Sequence, residues 1–161
     1  MRDDEQRIRT SIAEWAAAVH AGDLERVLAD RSEDVVMFDV PPPRAGVRGI
    51  DAYRATWPPF FAWQATGASF EIVELDVTVG EDVAFAWALL RCDTPQGLRE
   101  RPEDRLRLTL GLRRQDGRWV VTHEHHSFPH VPGGDDETAE REARALHERG
   151  SRPRSRGAST R

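Results

Sequence analysis

The chain has 161 residues, of which 39% are hydrophobic and 32% charged, and its formal net charge is −5. This length and balance predict one globular domain with its own core, and the negative charge gives no basic footprint for nucleic acid. Cys92 is the single cysteine, which excludes an intramolecular disulfide and a cysteine-based zinc site. No apolar run reaches the roughly 20 residues of a membrane span, and the first residues lack the apolar region of a signal peptide. We therefore expect a cytoplasmic protein without a membrane partner.

The first half of the chain predicts helices around one strand. Hydrophobic side chains recur at helical spacing before Gly22, and Asp23 is placed to cap a second, short helix. Pro58 and Pro59 are expected to close or kink a third helix. The predicted elements of this half are helices over residues 4–20, 24–29 and 49–57 and a strand over residues 35–40.

The second half predicts an antiparallel meander followed by a tail. Its strands are predicted over residues 70–79, 83–92, 105–113 and 118–127, with a longer loop over residues 94–103. Helices followed by a meander predict an α+β domain with the helices packed on one face of the sheet. We expect this domain to span residues 1–132. A charged, Arg-rich tail over residues 133–161 is expected to be partly helical or disordered.

The last predicted strand carries three histidines and a glutamate in four positions. Side chains alternate between the faces of a strand, so His123 and His125 share one face while Glu124 and His126 share the other. The first pair has the spacing of two metal ligands, but it lacks a clear third ligand on its face, and we predict no metal. In the second pair, the carboxylate would orient the imidazole for acid–base chemistry.

Loop length decides which of these pairs faces the core. Leucines occupy every second position of the preceding strand, so the leucine face is predicted to be the core face. A two-residue turn at 116–117 would place His123 and His125 against the leucines. A three-residue loop at 115–117 would place Glu124 and His126 there instead. The residue pattern leaves both registers open.

Asp39 is the strongest candidate for a catalytic base. It is predicted near the end of an apolar strand, where loss of hydration makes a carboxylate a stronger base. Its alternative role is that of a strand-end aspartate that caps the turn before Pro41.

Five short motifs together resemble the nuclear transport factor 2-like superfamily, in particular its SnoaL-like and ketosteroid isomerase-like branch, over about residues 4–130. The resemblance lies in their order and spacing: Ala21-Gly22-Asp23-Leu24, Val36-Met37-Phe38-Asp39, Gly49-Ile50-Asp51-Ala52-Tyr53, Asp116-Gly117-Arg118-Trp119 and Thr122-His123-Glu124-His125-His126-Ser127. It implies a cone-shaped fold in which N-terminal helices and a curved antiparallel sheet enclose a cavity. It also implies a homodimer through the outer sheet face, and it favours the three-residue loop.

The resemblance places Asp39 where ketosteroid isomerases have their general base. Trp15 takes the place of their helical tyrosine, and the region of Gly111 that of their protonated aspartate, so both oxyanion groups are absent. Similarity to the association domain of calcium/calmodulin-dependent kinase implies that Tyr53, Phe61, Leu89, Leu110 and His126 surround the cavity.

The five tryptophans of the chain suit a cavity for a planar organic ligand. Arg91 shares a predicted face with Trp87, and an inward arginine would pair with a carboxylate of the protein or the ligand. The expected substrate-binding residues are Trp15, Tyr53, Trp57, Phe61, Trp63, Trp87, Leu89, Arg91 and Leu110.

We therefore predict a SnoaL-like protein that performs acid/base chemistry without a cofactor on a small hydrophobic or aromatic molecule. Isomerisation, cyclisation, dehydration and hydrolysis all fit this prediction. The catalytic candidates are Asp39, His126 and Glu124. The alternative is a ligand-binding or association module without catalysis.

Overall fold

The computed structural model describes residues 2–129, so the predicted boundary at residue 132 and the tail over 133–161 lie outside the described residues. Helices and a curved six-stranded sheet form this part of the chain, which confirms the α+β prediction. The elements in chain order are α1 (Arg2–Ala21), α2 (Leu24–Leu28), β1 (Arg31–Phe38), β2 (Val47–Arg48), α3 (Ile50–Gln64), β3 (Glu71–Val79), β4 (Val83–Arg91), α4 (Pro95–Glu100), β5 (Leu106–Gln115) and β6 (Arg118–Ser127).

The first helix forms where the hydrophobic spacing predicts it. Hydrophobic residues recur every three or four positions on one face of α1, and this face is buried in the core. Its large members are Ile8, Ile12, Trp15 and Val19. The Asp23 carboxylate accepts a hydrogen bond from the backbone N–H of Arg26 at 3.2 Å and so caps α2. No helix among residues 2–129 has both the length and the apolar character needed to cross a membrane.

Helix α3 continues through Pro58 and Pro59 to Gln64, so the prediction that it ends near Trp57 is wrong. A proline inside a helix removes a backbone hydrogen bond, but here tertiary contacts outweigh that loss. The Gln64 side-chain amide donates to the carbonyls of Val19 at 2.9 Å and His20 at 2.8 Å. These two bonds tie the end of α3 to the end of α1.

Part of the predicted loop over 94–103 is also helical. Thr94 caps α4 by accepting a hydrogen bond from the Gly97 N–H at 3.1 Å, and Pro95 occupies the first turn, where its missing N–H costs nothing.

The sheet has the strand order β2-β1-β6-β5-β4-β3. Neighbouring strands are antiparallel except for β1 and β6, which run parallel, so the expected purely antiparallel sheet is mixed at this one pair. In the parallel register Met37 pairs with Glu124 and Phe38 with His125. The end of β1 therefore lies beside the end of β6.

The leucines of β5 face the core as predicted, since Leu106, Leu108, Leu110 and Leu112 are all buried. Pairing carries this face onto β4, where Ala86 lies opposite Leu110. The interior face of β4 is thus formed by Ala84, Ala86, Ala88 and Leu90.

The hairpin between β5 and β6 turns on two residues, so the three-residue loop is wrong. Gln115 pairs with Arg118, and the two residues between them, Asp116 and Gly117, have φ values of 49° and 77°. Positive φ at both central positions is the requirement of a type I′ turn, which Asp-Gly meets well.

Candidate functional site

A one-residue bulge in β6 sets the direction of the histidines. The pairing passes from Leu112 and Val121 directly to Gly111 and His123, and Thr122 is the extra residue. An extra residue reverses the faces of all side chains that follow it. Glu124 and His126 consequently point into the core, as the three-residue loop would also have placed them, although the turn has only two residues.

A continuous chain of polar side chains leads from the end of β1 into the core. The His126 Nδ1 atom lies 3.1 Å from Asp39 Oδ1, and His126 Nε2 lies 3.0 Å from Glu124 Oε1. The second of these contacts is an ion pair without the alignment of a hydrogen bond. Glu124 Oε2 accepts hydrogen bonds from Arg31 Nη2 and from the Tyr53 hydroxyl, each at 3.0 Å. Arg31 Nε also donates to the Tyr53 oxygen at 3.0 Å.

The polar side chains of this row differ in burial, since most of them are buried and one end of the row is partly exposed. The side chains of Arg31, Glu124 and His126 are only 2%, 0% and 6% exposed. The Asp39 side chain is 27% exposed and follows directly after β1. Asp39 is therefore the most exposed member of this group of side chains.

Opposite charges set the protonation states within the core. Burial alone would lower the pKa of His126, but the carboxylates of Asp39 and Glu124 outweigh it and raise that pKa to about 9. Burial alone would raise the pKa of Glu124, but Arg31, His126 and the Tyr53 hydroxyl hold it below its ordinary value. At neutral pH the charges of these four side chains alternate in sign and sum to zero, in the order Arg31⁺, Glu124⁻, His126⁺ and Asp39⁻.

Arg31 has no counterpart among the residues expected from the sequence. It is buried at the irregular start of β1, where the register shifts between Arg31 and Val36 and both Arg31 and Ser32 are buried. Its guanidinium carbon lies 4.8 Å from the centre of the Trp15 ring, a cation–π contact. The signal that would have pointed to it is Glu124 itself, because a buried carboxylate requires a cation.

A pocket of about 900 Å³ opens beside Asp39 and is lined mainly by apolar side chains. Of the residues expected to bind a substrate, Trp57 and Trp63 line it, together with Asp39 and His126. Gly46, with φ of 70°, lets its loop close onto β1, since a Cβ there would meet the Met37 carbonyl and the Phe38 ring. The remaining lining residues are Met37, Val40, Pro41, Pro42, Pro43, Gly46, Val47, Ala52, Ala55, Thr56, Pro59, Phe60, Phe70, Cys92, Asp93, Arg101, Asp104, Leu106 and Phe128.

Four further expected residues lie behind the pocket wall, three of them buried in the core and the fourth, Phe61, half-buried against it. Trp15 packs edge-on against Trp57 at a ring-centre distance of 6.1 Å, and Phe61 stacks on Trp57 at 5.9 Å. Tyr53 is fully buried in the polar chain, and Leu110 pairs with Glu124 on the sheet. These four residues support the pocket wall and do not line the pocket.

Trp87, Leu89 and Arg91 are corrections, because they lie on the opposite face of the sheet. Alternation puts Ala86, Ala88 and Leu90 inside, so the three residues between and after them point outward. Arg91 forms an exposed ion pair with Glu71 at 3.5 Å.

The other histidine pair is on the outer face. His123 Nδ1 lies 3.0 Å from the Val36 carbonyl, and the Phe38 ring packs between His123 and His125 at 5.2 and 5.9 Å. Among residues 2–129, no three His, Cys, Asp or Glu side chains are grouped so that they could hold a metal ion.

The family model of the SnoaL-like domain matches residues 8–131. A solved structure of a nuclear transport factor 2-like protein of unknown function from Pseudomonas putida KT2440 is 32% identical, with a TM-score of 0.73 over 83% of this chain and 92% of that chain. The chain therefore belongs to the SnoaL-like family, within the nuclear transport factor 2-like superfamily.

Two more distant structures show the same fold. A nuclear transport factor 2-like protein with a cystatin-like fold from Novosphingobium aromaticivorans is 20% identical, with a TM-score of 0.66 over 85% of this chain and 88% of that chain. A proposed ketosteroid isomerase from Shewanella frigidimarina NCIMB 400 is 21% identical, with a TM-score of 0.56 over 73% of this chain and 92% of that chain. No curated protein matches the sequence.

Proposed function

We propose that this protein uses Asp39 as a general base on a small hydrophobic or aromatic molecule bound in the pocket, without a cofactor. The observation that carries the proposal is a carboxylate on the wall of a largely apolar pocket, with the Nδ1 atom of His126 at 3.1 Å from it. Membership of a family with an isomerase-like relative in the same fold is consistent with this chemistry.

The geometry of Asp39 leaves one of its oxygens available. Oδ1 accepts a hydrogen bond from the Val40 N–H at 2.7 Å and faces His126 Nδ1 at 3.1 Å. Within residues 2–129, no hydrogen bond reaches Oδ2. The carboxylate is thus held by one oxygen while the other can take a proton from a ligand.

Charge balance supports the same role. When Asp39 takes a proton, a C–H or O–H bond of the ligand breaks, an O–H bond forms on Asp39, and the electron pair stays on the ligand. The summed charge of the four side chains then changes from zero to +1, the four being Arg31, Glu124, His126 and Asp39. That positive charge stabilises the new anion beside it. Return of the proton to another atom of the ligand completes an isomerisation.

A binding module without catalysis is the second candidate. Three side-chain nitrogens are buried without a hydrogen bond: the Nε1 atoms of Trp15 and Trp57 and the Nε2 atom of His126. Because these atoms are buried, they offer no direct hydrogen bond to an oxyanion in the pocket.

Deuterium exchange separates the two candidates. The protein is incubated in D₂O with a panel of uncharged polycyclic ketones and phenolic ketones, and exchange of their acidic C–H groups is followed by NMR. A base should accelerate exchange for ligands that also raise the melting temperature. Asp39→Asn should lower the exchange rate by about 10²–10⁴-fold and still bind the ligand.

Asp116→Asn is the matched control, because it removes a carboxylate in the exposed hairpin turn, where asparagine fits the backbone. Ligand stabilisation with no exchange above the Asp39→Asn level would overturn the catalytic proposal in favour of the binding module.

A further inference from the structure

We propose that Glu124 and Arg31 are positioning residues: together they keep His126 as an imidazolium whose Nδ1–H fixes the Asp39 carboxylate. The inference rests on the proposed role of Asp39 and deepens it. Neither residue touches the pocket lumen, so each would act through His126.

The contacts of the His126 ring define its protonation state. Its two nitrogens lie 3.1 Å from an oxygen of Asp39 and 3.0 Å from an oxygen of Glu124. A neutral imidazole carries one N–H, so its unprotonated nitrogen would present a lone pair to a carboxylate. Only the imidazolium carries an N–H, and no lone pair, on both of the nitrogens that lie next to a carboxylate.

Glu124 can play this part only while it is itself ionised. A carboxylate with no exposure takes up a proton unless a cation and hydrogen bonds compensate its charge. Arg31 supplies the cation at 3.0 Å, and the Tyr53 hydroxyl supplies a second bond to the same oxygen, Oε2. That arrangement leaves Oε1 for His126.

The other charged groups of the pocket wall are Asp93, Arg101 and Asp104, and Arg101 pairs with both carboxylates, at 3.1 Å from Asp93 and 2.9 Å from Asp104. The His126 and Arg31 side chains pack against the indole of Trp15 from α1, and Tyr53 from α3 is neutral because burial raises its pKa. Cys92, which follows directly after β4, is a neutral thiol near Asp39. The proton on His126 is therefore governed by Asp39, Glu124 and, through Glu124, Arg31.

The functional consequence is a change in pH dependence. If Glu124 loses its charge, His126 releases its proton at a lower pH, and the positive charge directly beside Asp39 is lost. After proton transfer to Asp39, the net +1 charge then resides on Arg31, which contacts residue 124 and not Asp39. A Glu124→Gln enzyme should then lose proton-abstraction activity as pH rises through the neutral range, where the unaltered protein keeps it.

The test is an NMR titration of ¹⁵N-histidine-labelled full-length protein, with the His126 signals assigned by their loss in His126→Gln. The titration midpoint of His126 should lie near 9 in the unaltered protein. It should fall by more than about one pH unit in Glu124→Gln. Arg31→Lys, which retains the charge but not the two-pronged contact, should give an intermediate midpoint.

Glu25→Gln serves as the control, because Glu25 forms an exposed ion pair with Arg54 and should leave the midpoint unchanged. The double variant Arg31→Met/Glu124→Gln removes both buried charges, and it carries the test if Glu124→Gln alone fails to fold. A midpoint near 6.5 in the unaltered protein, or an unmoved midpoint in a folded variant without the Glu124 charge, would overturn the proposal.

The titration needs no ligand, so it separates the two proposals. A midpoint that moves as expected in a protein without any exchange activity would refute the base role of Asp39 alone. Exchange activity with an unmoved midpoint would refute only the positioning role.

Discussion

Asp39 and His126 lie 87 positions apart in the chain, yet their side chains meet at 3.1 Å. They meet because β1 and β6 are parallel neighbours in which Met37 pairs with Glu124. Asp39 follows Met37 by two residues, as His126 follows Glu124, so the parallel register brings the two together. In an antiparallel pair, the carboxyl-terminal ends of the two strands would lie at opposite ends of the pair, far from each other.

Stability should fall at alkaline pH because of His126. Its pKa is raised from 6.5 in the unfolded chain to about 9 in the folded protein. Its contribution, up to roughly 3 kcal/mol, is therefore fully present below pH 6.5 and is lost as pH rises through 9. Urea unfolding between pH 6 and 10 measures this loss. In His126→Gln the corresponding slope should vanish, and an identical slope in both proteins would contradict the assignment.

The buried ion pair should be costly to break and cheaper to remove. Arg31→Met leaves Glu124 without its cation and should destabilise the protein by about 3–5 kcal/mol. The double variant Arg31→Met/Glu124→Gln should regain at least about 1 kcal/mol of this loss, because no uncompensated charge remains. Urea unfolding gives both values.

The exposed pair of Arg54 and Glu25 provides the comparison for that experiment. Arg54→Met should change the free energy of unfolding by less than about 1 kcal/mol, since the pair is exposed to water. A similar loss for Arg31→Met and Arg54→Met would show that the buried network does not hold the core together.

Trp63, in the pocket, and Trp87, on the outer face of the sheet, should contribute differently to ligand binding. Trp63 lines the pocket and is 37% exposed, whereas Trp87 lies on the outer face of β4. Trp63→Ala should weaken binding of a neutral naphthol about tenfold, the value of one aromatic contact. Trp87→Ala should leave it unchanged. Fluorescence titration measures both affinities, and the reverse ranking would mean that the ligand binds elsewhere.

The thiol of Cys92 should react slowly although it lines the pocket. Burial and the nearby charges of Asp93 and Asp39 raise its pKa to about 12. About one thiol in 10⁴ is then ionised at pH 8, and the thiolate is the reactive form. Mass spectrometry should show alkylation by iodoacetamide at least about 100-fold slower than for glutathione. Unfolding in urea should restore the ordinary rate, and a fast reaction of the folded protein would contradict the burial.

An apolar strip on the outer face of β4 is expected to be covered by a second copy of the chain. Phe85 is 48% exposed there, beside Trp87 and Leu89. Light scattering should give twice the 18.2 kDa mass of the chain, and Phe85→Asp should give a monomer. Ala17→Asp on the exposed side of α1 is the control. A monomeric unaltered protein would contradict this expectation.

The periodic spacing of hydrophobic residues was sufficient to predict most of the helices, strands and buried faces of the fold. The helical spacing before Gly22 and the alternating leucines of β5 both gave the correct buried faces. It failed at β4, where alternation defines two faces without saying which one is interior. The pairing with β5 decides that question, and it selects the alanines rather than Trp87 and Leu89.

The site was harder to predict because its parts depend on irregular backbone. The residue pattern leaves the facing of Glu124 and His126 open, and the family resemblance favours an inward direction through a three-residue loop. The structure instead directs them inward through a bulge at Thr122. Arg31 was missed because a register shift buries it beside Ser32, where alternation would expose one of the two. Long-range pairing sets both features, and neither leaves a periodic trace in the sequence.

The pairing of β1 with β6 also has a consequence for folding. These strands are the first and last of the sheet in chain order, so their contact closes the longest loop of the domain and has a high entropic cost. An intermediate that contains only the meander β3–β4–β5 has Arg31 and Asp39 on one unattached segment and Glu124 and His126 on another. Asp39 acquires its partner His126 only when β1 and β6 have paired, so the proposed base chemistry at Asp39 would report complete folding of residues 2–129.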